Sequence, residues 1–396
     1  VLVVGGGTAF ALYEAGFGPT HPESDRRALP DSAVDWIWSG GVTENSAVIV
    51  AKVPGSGPIR LAISPTDEFE APTFFTATGD GPVYRFTISG LEPNTDYSYA
   101  IEQSGGLDEI RAGSFRTHPD GPFSFTVAFG SCAPRGSNGA VYHAILQSAP
   151  DLHVIVGVWY YADIHENSVE VFEEVYDKTL TQPAQAALYR SVPIAYTWDD
   201  HDYGPNDAAA DSPSREAALA AYRELVPHYP LALAEGDDPS AQAFTIGRVR
   251  VLLTDTRSAR PPSGEPDGPD TPLLAPQQLP WFAEQLLTAD DQYPVIVWVN
   301  SVPWIAAADP GADHWGGYST ERERIATFIA ENDIDGLVML AGDAHMLAID
   351  DGTNSDFAYE GGAGIPIMHA AAHDRGGSNK GGPYSEGAGP AGGQSG

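Results

Sequence analysis

The chain has 396 residues, 42% of them hydrophobic, which is enough for a substantial core in one large domain or two ordinary ones. Asp and Glu number 54 against 20 Lys and Arg, and the formal net charge of −34 argues against nucleic acid or anionic lipid as a general electrostatic partner. Cys132 is the single cysteine, so an intrachain disulfide is excluded and nothing about compartment can be read from bridges.

In chain order, residues 1–33 form an N-terminal extension whose apolar start, Val-Leu-Val-Val-Gly-Gly-Gly, is broken by glycines and then by Glu14. It is too short to cross a bilayer. It reads equally as the remnant of a signal or anchor segment, which would attach the protein to a membrane, or as a packed strand. From 34 to 118 short alternating apolar runs at 47–53, 59–63, 83–88 and 98–101 are separated by Pro, Gly and Asn turns. This spacing predicts an all-β sandwich of the fibronectin or immunoglobulin type. Leu-Glu-Pro-Asn-Thr-Asp-Tyr-Ser-Tyr at 91–99 resembles the tyrosine-corner segment of such domains, and no group of catalytic residue types lies in this third. Its expected role is to support or partly roof the C-terminal two thirds. A turn-rich stretch, 117–122, marks the boundary.

A second domain is expected over 123–396. Nearly continuous apolar strands at 123–129, 152–157, 192–196, 249–254, 295–300 and 336–341 alternate with helical stretches near 140–148, 169–180, 182–191 and 214–225. Uninterrupted apolar strands between helices predict an α/β protein with sheets covered on both faces, and ligands then sit just beyond the strand ends. Five strand ends carry reactive residue types: Cys132; Tyr160 to Asp163; Asp199, Asp200 and His201; Asp255 to Arg257; and Asp343 with His345. The Asp199–Asp202 run is the densest, with His201 among three acids before a Gly204-Pro205 turn. Crowded carboxylates mean either solvent or a cation, because unpaired buried charge is too costly. Carboxylates with one imidazole suit a hard or borderline metal ion.

Gly130-Ser131-Cys132, Trp198-Asp199-Asp200-His201-Asp202, Asp255-Thr256-Arg257-Ser258-Ala259-Arg260 and Gly342-Asp343-Ala344-His345 come one after another as in the PhoD-like alkaline phosphatase/phosphodiesterase family, which this chain resembles. That family is related to the purple acid phosphatases and to other calcineurin-like metallophosphoesterases. The resemblance extends from about residue 34 to the C-terminus. It implies a four-layer αββα sandwich behind the β-sandwich, and metal-dependent hydrolysis of phosphate mono- or diesters outside the cytoplasm. By position it implies Cys132 and Tyr161 as thiolate and phenolate ligands of a ferric ion, and Asp200, Asp343 and His345 as further ligands. Calcium or another divalent ion would be the second metal. His201 would contact the phosphoryl group or protonate the leaving oxygen, and Arg257 would clamp phosphate, since guanidinium matches phosphate oxygens in bidentate fashion. By residue type alone, Cys132 is inert core packing, Tyr161 packs beside Trp159 and Tyr160, and Arg257 pairs with Asp255.

One departure stands out. The family has Gly-Asp-x-x-Tyr at the second motif, its aspartate bridging both metals; here the run is Gly157-Val158-Trp159-Tyr160-Tyr161. Without that anion, two cations repel and affinity for the second should fall. Three readings are open at Val158: natural loss of catalysis in a surface or assembly protein that kept the fold, an inactivating change or error in this particular sequence, or takeover of the ligand role by Asp163. The expected partner is a small phosphoester or a phospholipid headgroup, with an extracellular, periplasmic or cell-surface location. By composition the Gly-rich stretch 376–396 passes for a linker, but Lys380-Gly381-Gly382-Pro383-Tyr384-Ser385 resembles the family and is expected to be a loop of the domain.

Overall fold

Strands Trp36–Gly40, Ser46–Lys52 and Val83–Ser89 carry apolar side chains on both faces, and both faces are used in the computed structural model, which describes residues 2–3, 31–78, 81–233, 239–378 and 380–386. On one face Ile37, Ala47, Ile49 and Phe86 pack against Leu61, Ile63, Tyr99, Ile101 and Phe115 of a second sheet. That sheet contains Ile59–Ser64, Thr73–Thr76, Asp96–Gln103, Gly106–Leu107 and Gly113–Arg116. The Tyr97 hydroxyl accepts from the Glu92 amide at 3.0 Å, the contact a tyrosine corner makes. On the other face Trp36, Trp38, Val48 and Val50 join the core of the C-terminal region. There Trp38 stacks on Trp159 with ring centroids 5.0 Å apart and donates Nε1 to the Leu225 carbonyl at 2.9 Å.

The β-rich region is therefore joined to the rest of the chain through a sheet as well as a linker. Gly40 pairs in parallel with Ile194, so one seven-stranded sheet runs from Leu2–Val3 through Thr126–Gly130, Leu152–Val156 and Ile194–Thr197 into Trp36–Gly40, Ser46–Lys52 and Val83–Ser89. A sheet edge with apolar residues on both faces gains by being continued and covered.

Opposite its first half lies a six-stranded sheet, ordered Gln242–Ile246, Val249–Leu253, Val295–Asn300, Leu337–Ala341, Ile367–His369 and Ala348–Asp350. Leu152, Val154, Val156 and Ala195 meet Phe244, Val251, Leu253, Val299 and Leu340 between the sheets. Helices Ala140–Gln147, Val169–Leu180, Pro183–Ser191 and Arg215–Leu225 lie outside the first sheet, and Gln278–Asp290 and Ser319–Glu331 outside the second. The order helix, sheet, sheet, helix is the expected αββα sandwich. The last two helices escape a reading by apolar runs: one has Pro280 in its first turn, where proline is tolerated, and the other opens Ser-Thr-Glu-Arg-Glu-Arg.

Glu321, in the first turn of Ser319–Glu331, is buried. Its Oε2 accepts from the Leu273 and Leu274 amides, while Oε1 finds no partner among the described residues. Burial pushes this carboxyl up to about 7 from an ordinary 4.5. A carboxyl raised on folding contributes stability that is complete below its unfolded pKa and lost as pH rises toward 7. The expected result is a loss of about 1–3 kcal/mol from this group on raising the pH from 4.5 to 7.5, since each tenfold change in proton affinity is worth about 1.4 kcal/mol. Denaturant titrations at both pH values should show that loss in the parent and a smaller one in Glu321→Gln.

Most of residues 1–33 and all of 387–396 lie outside the described residues, so the signal or anchor reading falls there. Among the described residues no helix is long and apolar enough to cross a membrane. The segment 380–386 packs as a loop of the domain: the Gly382 amide donates to the Ile305 carbonyl at 2.7 Å and the Ser385 amide to Asp350 at 3.0 Å.

Candidate metal centre

The C-terminal ends of the parallel strands of both sheets are drawn together because two glycines let the backbones touch. A Cβ on Gly342 would lie 2.0 Å from the Val156 carbonyl oxygen, and one on Gly157 (φ +79°) 2.8 Å from the Asp199 Cβ. The residues just beyond these ends are held in the left-handed region although none is glycine: Cys132 (φ 55°), Val158 (46°), Asp163 (51°), Asp343 (63°) and His345 (49°). Each costs of order 1–3 kcal/mol, and such strain gathers at functional sites. Asp and His tolerate this conformation; a β-branched valine does not.

Cys132 is buried against Val158, Ala372 and Tyr161. The Cys132 amide donates to the Gly157 carbonyl at 3.3 Å and the Ala133 amide to that of Val158 at 3.0 Å, tying the first two strand ends together. Tyr161 Oη shares a hydrogen bond with His345 Nε2 at 2.7 Å, and the Arg375 guanidinium lies 3.4 Å from the centre of the Tyr161 ring. Burial, then the Asp343 carboxylate, push the Cys132 thiol well up; burial, then Cys132, do the same to the Tyr161 phenol. Both groups are therefore protonated until a cation displaces their protons.

The Trp198–Asp202 turn is fixed by its own acids. Asp202 Oδ1 accepts from the Asp199 amide at 2.7 Å, and Oδ2 from the Trp159 amide at 2.9 Å and the Tyr196 hydroxyl at 2.5 Å. Asp199 Oδ1 accepts from Arg257 Nε at 2.5 Å and Ser301 Oγ at 3.1 Å. Asp343 Oδ1 sits 2.6 Å from Lys380 Nζ. The other oxygens, Asp199 Oδ2 and Asp343 Oδ2, are buried and find no hydrogen-bond partner among the described residues. His201 packs on Tyr161 with ring centroids 4.0 Å apart and the planes tilted by 39°, and bonds Asp163 through Nδ1 at 2.6 Å. Its Nε2 is 3.7 Å from Asp200 Oδ2.

Three sequence expectations need correcting. Arg257 is no free phosphate clamp and does not ion-pair with Asp255: its guanidinium is fully buried and engages Asp199 and both oxygens of Asp313 (2.7 and 2.8 Å), while its backbone amide donates to Asp255. Asp163 is no substitute for the bridging ligand, since it is half exposed and spends its carboxylate on the His201 ring. The oxygens of Asp200 accept from the His201 and Asp207 amides, and among the described residues Asp200, Asp207 and Asp313 offer oxygens within 4.8 Å of one another. Cys132, Asp343 and His345 form no group that tight; Tyr161 links the thiol to the imidazole. Sequence reasoning missed Lys380, Asp313 and the role of Asp199. Asp199 carried a signal in the Trp198–Asp202 run and Lys380 one as one of three lysines in the chain; Asp313 carried none.

These residues fit a cation. Two buried carboxylate oxygens without partners among the described residues, a thiol and a phenol supply the hard and soft donors that a highly charged ion takes. Val158 supplies no bridge to a second ion.

A family model described as PhoD-like phosphatase matches residues 127–378. Alkaline phosphatase D of Bacillus subtilis (strain 168) is 26% identical over 374 residues, which cover 80% of this chain and 62% of that protein. The chain thus spans 62% of the length of that relative. A solved structure of PhoD superposes with a TM-score of 0.74 at 19% identity, over 90% of this chain and 79% of the other. Purple acid phosphatase PPD1 from yellow lupin (Lupinus luteus) seeds gives 0.59 at 12%, over 90% and 66%. The architecture is that of these two phosphatases. The chain belongs to the PhoD-like phosphatase family, and the family implies a metal cofactor.

Proposed function

We propose that this chain hydrolyses phosphate mono- or diesters outside the cytoplasm, with a ferric ion held by Cys132, Tyr161 and Asp343 and with Asp199, Asp200 and His345 around it. The observation that carries this reading is the pair of buried carboxylate oxygens on Asp199 and Asp343, without partners among the described residues, on acids that act on the Cys132 thiol packed against Tyr161. When bound, the cation would draw charge from the phosphate and make a water acidic enough to attack near neutral pH. His201, steadied at Nδ1 by Asp163, keeps Nε2 for a proton to the departing oxygen. Arg257 positions Asp199 from behind and does not touch substrate. The net charge of −34 favours a small ester or a phospholipid headgroup over a polyanion.

The second reading, a silent surface or assembly protein, is favoured by one observation, the valine at position 158. Hydrolysis of bis(p-nitrophenyl) phosphate and p-nitrophenyl phosphate separates the two. Activity lost to a chelator, recovered with iron or calcium and lowered about 10²–10⁴-fold in His201→Ala supports the enzyme. No metal-dependent activity on either ester supports the silent protein.

A further inference from the structure

We propose that the Lys380 ammonium takes the place of a second metal ion, so that the centre works with one metal ion and one protein cation that contacts the substrate phosphoryl group. This rests on the phosphoesterase reading above. Asp343 divides its carboxylate: Oδ1 is 2.6 Å from Lys380 Nζ, while Oδ2 is buried and partnerless among the described residues. Asp343 is also the charged group that acts most strongly on Cys132. One oxygen is thus left for an ion shared with the thiol and phenol, and the other is already neutralised by lysine.

Charge balance agrees. An aspartate at position 158 would add one negative charge for a second divalent ion to answer. Valine adds none, and a single positive charge suffices for the remaining acids.

The placement is built. The Ser378 hydroxyl donates to the Ala344 carbonyl at 2.8 Å on one side of Lys380, and the Gly382 amide to that of Ile305 at 2.7 Å on the other. A Cβ at Gly381 would lie 2.2 Å from the Ile305 carbonyl oxygen, so the next residue must stay glycine for the loop to close down. The lysine side chain is 43% exposed while that of Asp343 is 6% exposed, which puts the ammonium on the solvent side of the acid, where a phosphate arrives. Lysine binds phosphate as a compact point charge that needs no fixed fork of donors.

The test measures metal content by elemental analysis after saturation with iron and calcium, and inorganic phosphate binding by calorimetry. The proteins are the parent chain, Lys380→Met, Lys380→Arg and the double variant Val158→Asp/Lys380→Met. The expected result is one ion per parent chain. Lys380→Met should keep that ion and bind phosphate at least tenfold more weakly. Lys380→Arg should recover part of that loss, and the double variant should take a second ion. Two ions per parent chain, or unchanged phosphate affinity in Lys380→Met, would overturn the lysine's role and leave the phosphoesterase reading standing. A parent chain that binds no metal would overturn both.

Discussion

Val158→Asp is expected to make the stability of this protein depend on metal. In chelator the new carboxylate lies buried beside Cys132 and Tyr161, in a centre that already holds the free oxygens of Asp199 and Asp343, which have no partners among the described residues. Uncompensated burial of charge of this kind costs about 2–4 kcal/mol. Part of the cost is offset, because aspartate accepts φ +46° where valine is strained. With metal the sign reverses. Removing even an outer partner of a metal ligand costs about 10–100-fold in affinity, so restoring a direct bridging ligand should raise affinity for a second ion by more than about 100-fold. Saturation to about 100 times Kd would then return about 2.7 kcal/mol of stability. Denaturation in chelator and in calcium with iron reads both effects. A variant as stable as its parent in chelator and indifferent to metal would show that position 158 does not face the centre.

Arg257→Met carries the largest expected loss of fold stability, about 3–5 kcal/mol, the range for breaking one side of a buried ion pair. The guanidinium is fully buried and holds two acids from distant parts of the chain, Asp199 at 2.5 Å and Asp313 at 2.7 and 2.8 Å. Removing it leaves the Asp199 carboxyl enclosed next to Asp200 without the cation that favours its charged form. The triple change Arg257→Met, Asp199→Asn, Asp313→Asn should recover much of the stability, since replacing a whole buried network costs far less than breaking it. It should not recover hydrolysis, because Asp199 is then no longer an acid. Guanidinium denaturation of the three proteins checks this. A loss below about 1 kcal/mol in Arg257→Met would mean that water reaches both acids and the pair is no clamp.

The strand ends were legible because their chemistry is local. A buried parallel strand is a continuous apolar run, and the residues after it must leave the sheet. Cys132, Tyr161, Asp199–His201 and Asp343–His345 could therefore be read as strand-end residues from residue order, while their grouping around one metal rested on the family resemblance. The limits of the four expected helices came out within a residue. Partners set by long-range folding were not legible. Nothing near Arg257 points to Asp313, 56 positions away, and residue type alone offered Asp255. Asp163 looked like a spare ligand because it lies just past the motif, whereas its left-handed backbone turns it to His201. Lys380 lies in a glycine-rich stretch that passes for a linker by composition; resemblance made it a loop of the domain, but not a partner of Asp343. The continuation of the first sheet into the β-rich region rests on a single pairing, Ile194 with Gly40, which no pattern announces.

The account depends on residues from separate strand ends sharing one cation. An anomalous difference map, recorded at the iron edge from crystals of the iron-loaded protein, tests this directly. The account predicts one strong peak within bonding distance of Cys132 Sγ, Tyr161 Oη and Asp343 Oδ2, with Lys380 still on Asp343 Oδ1. Density for iron only at the Asp200, Asp207 and Asp313 carboxylates, with the thiol uncoordinated, would contradict it.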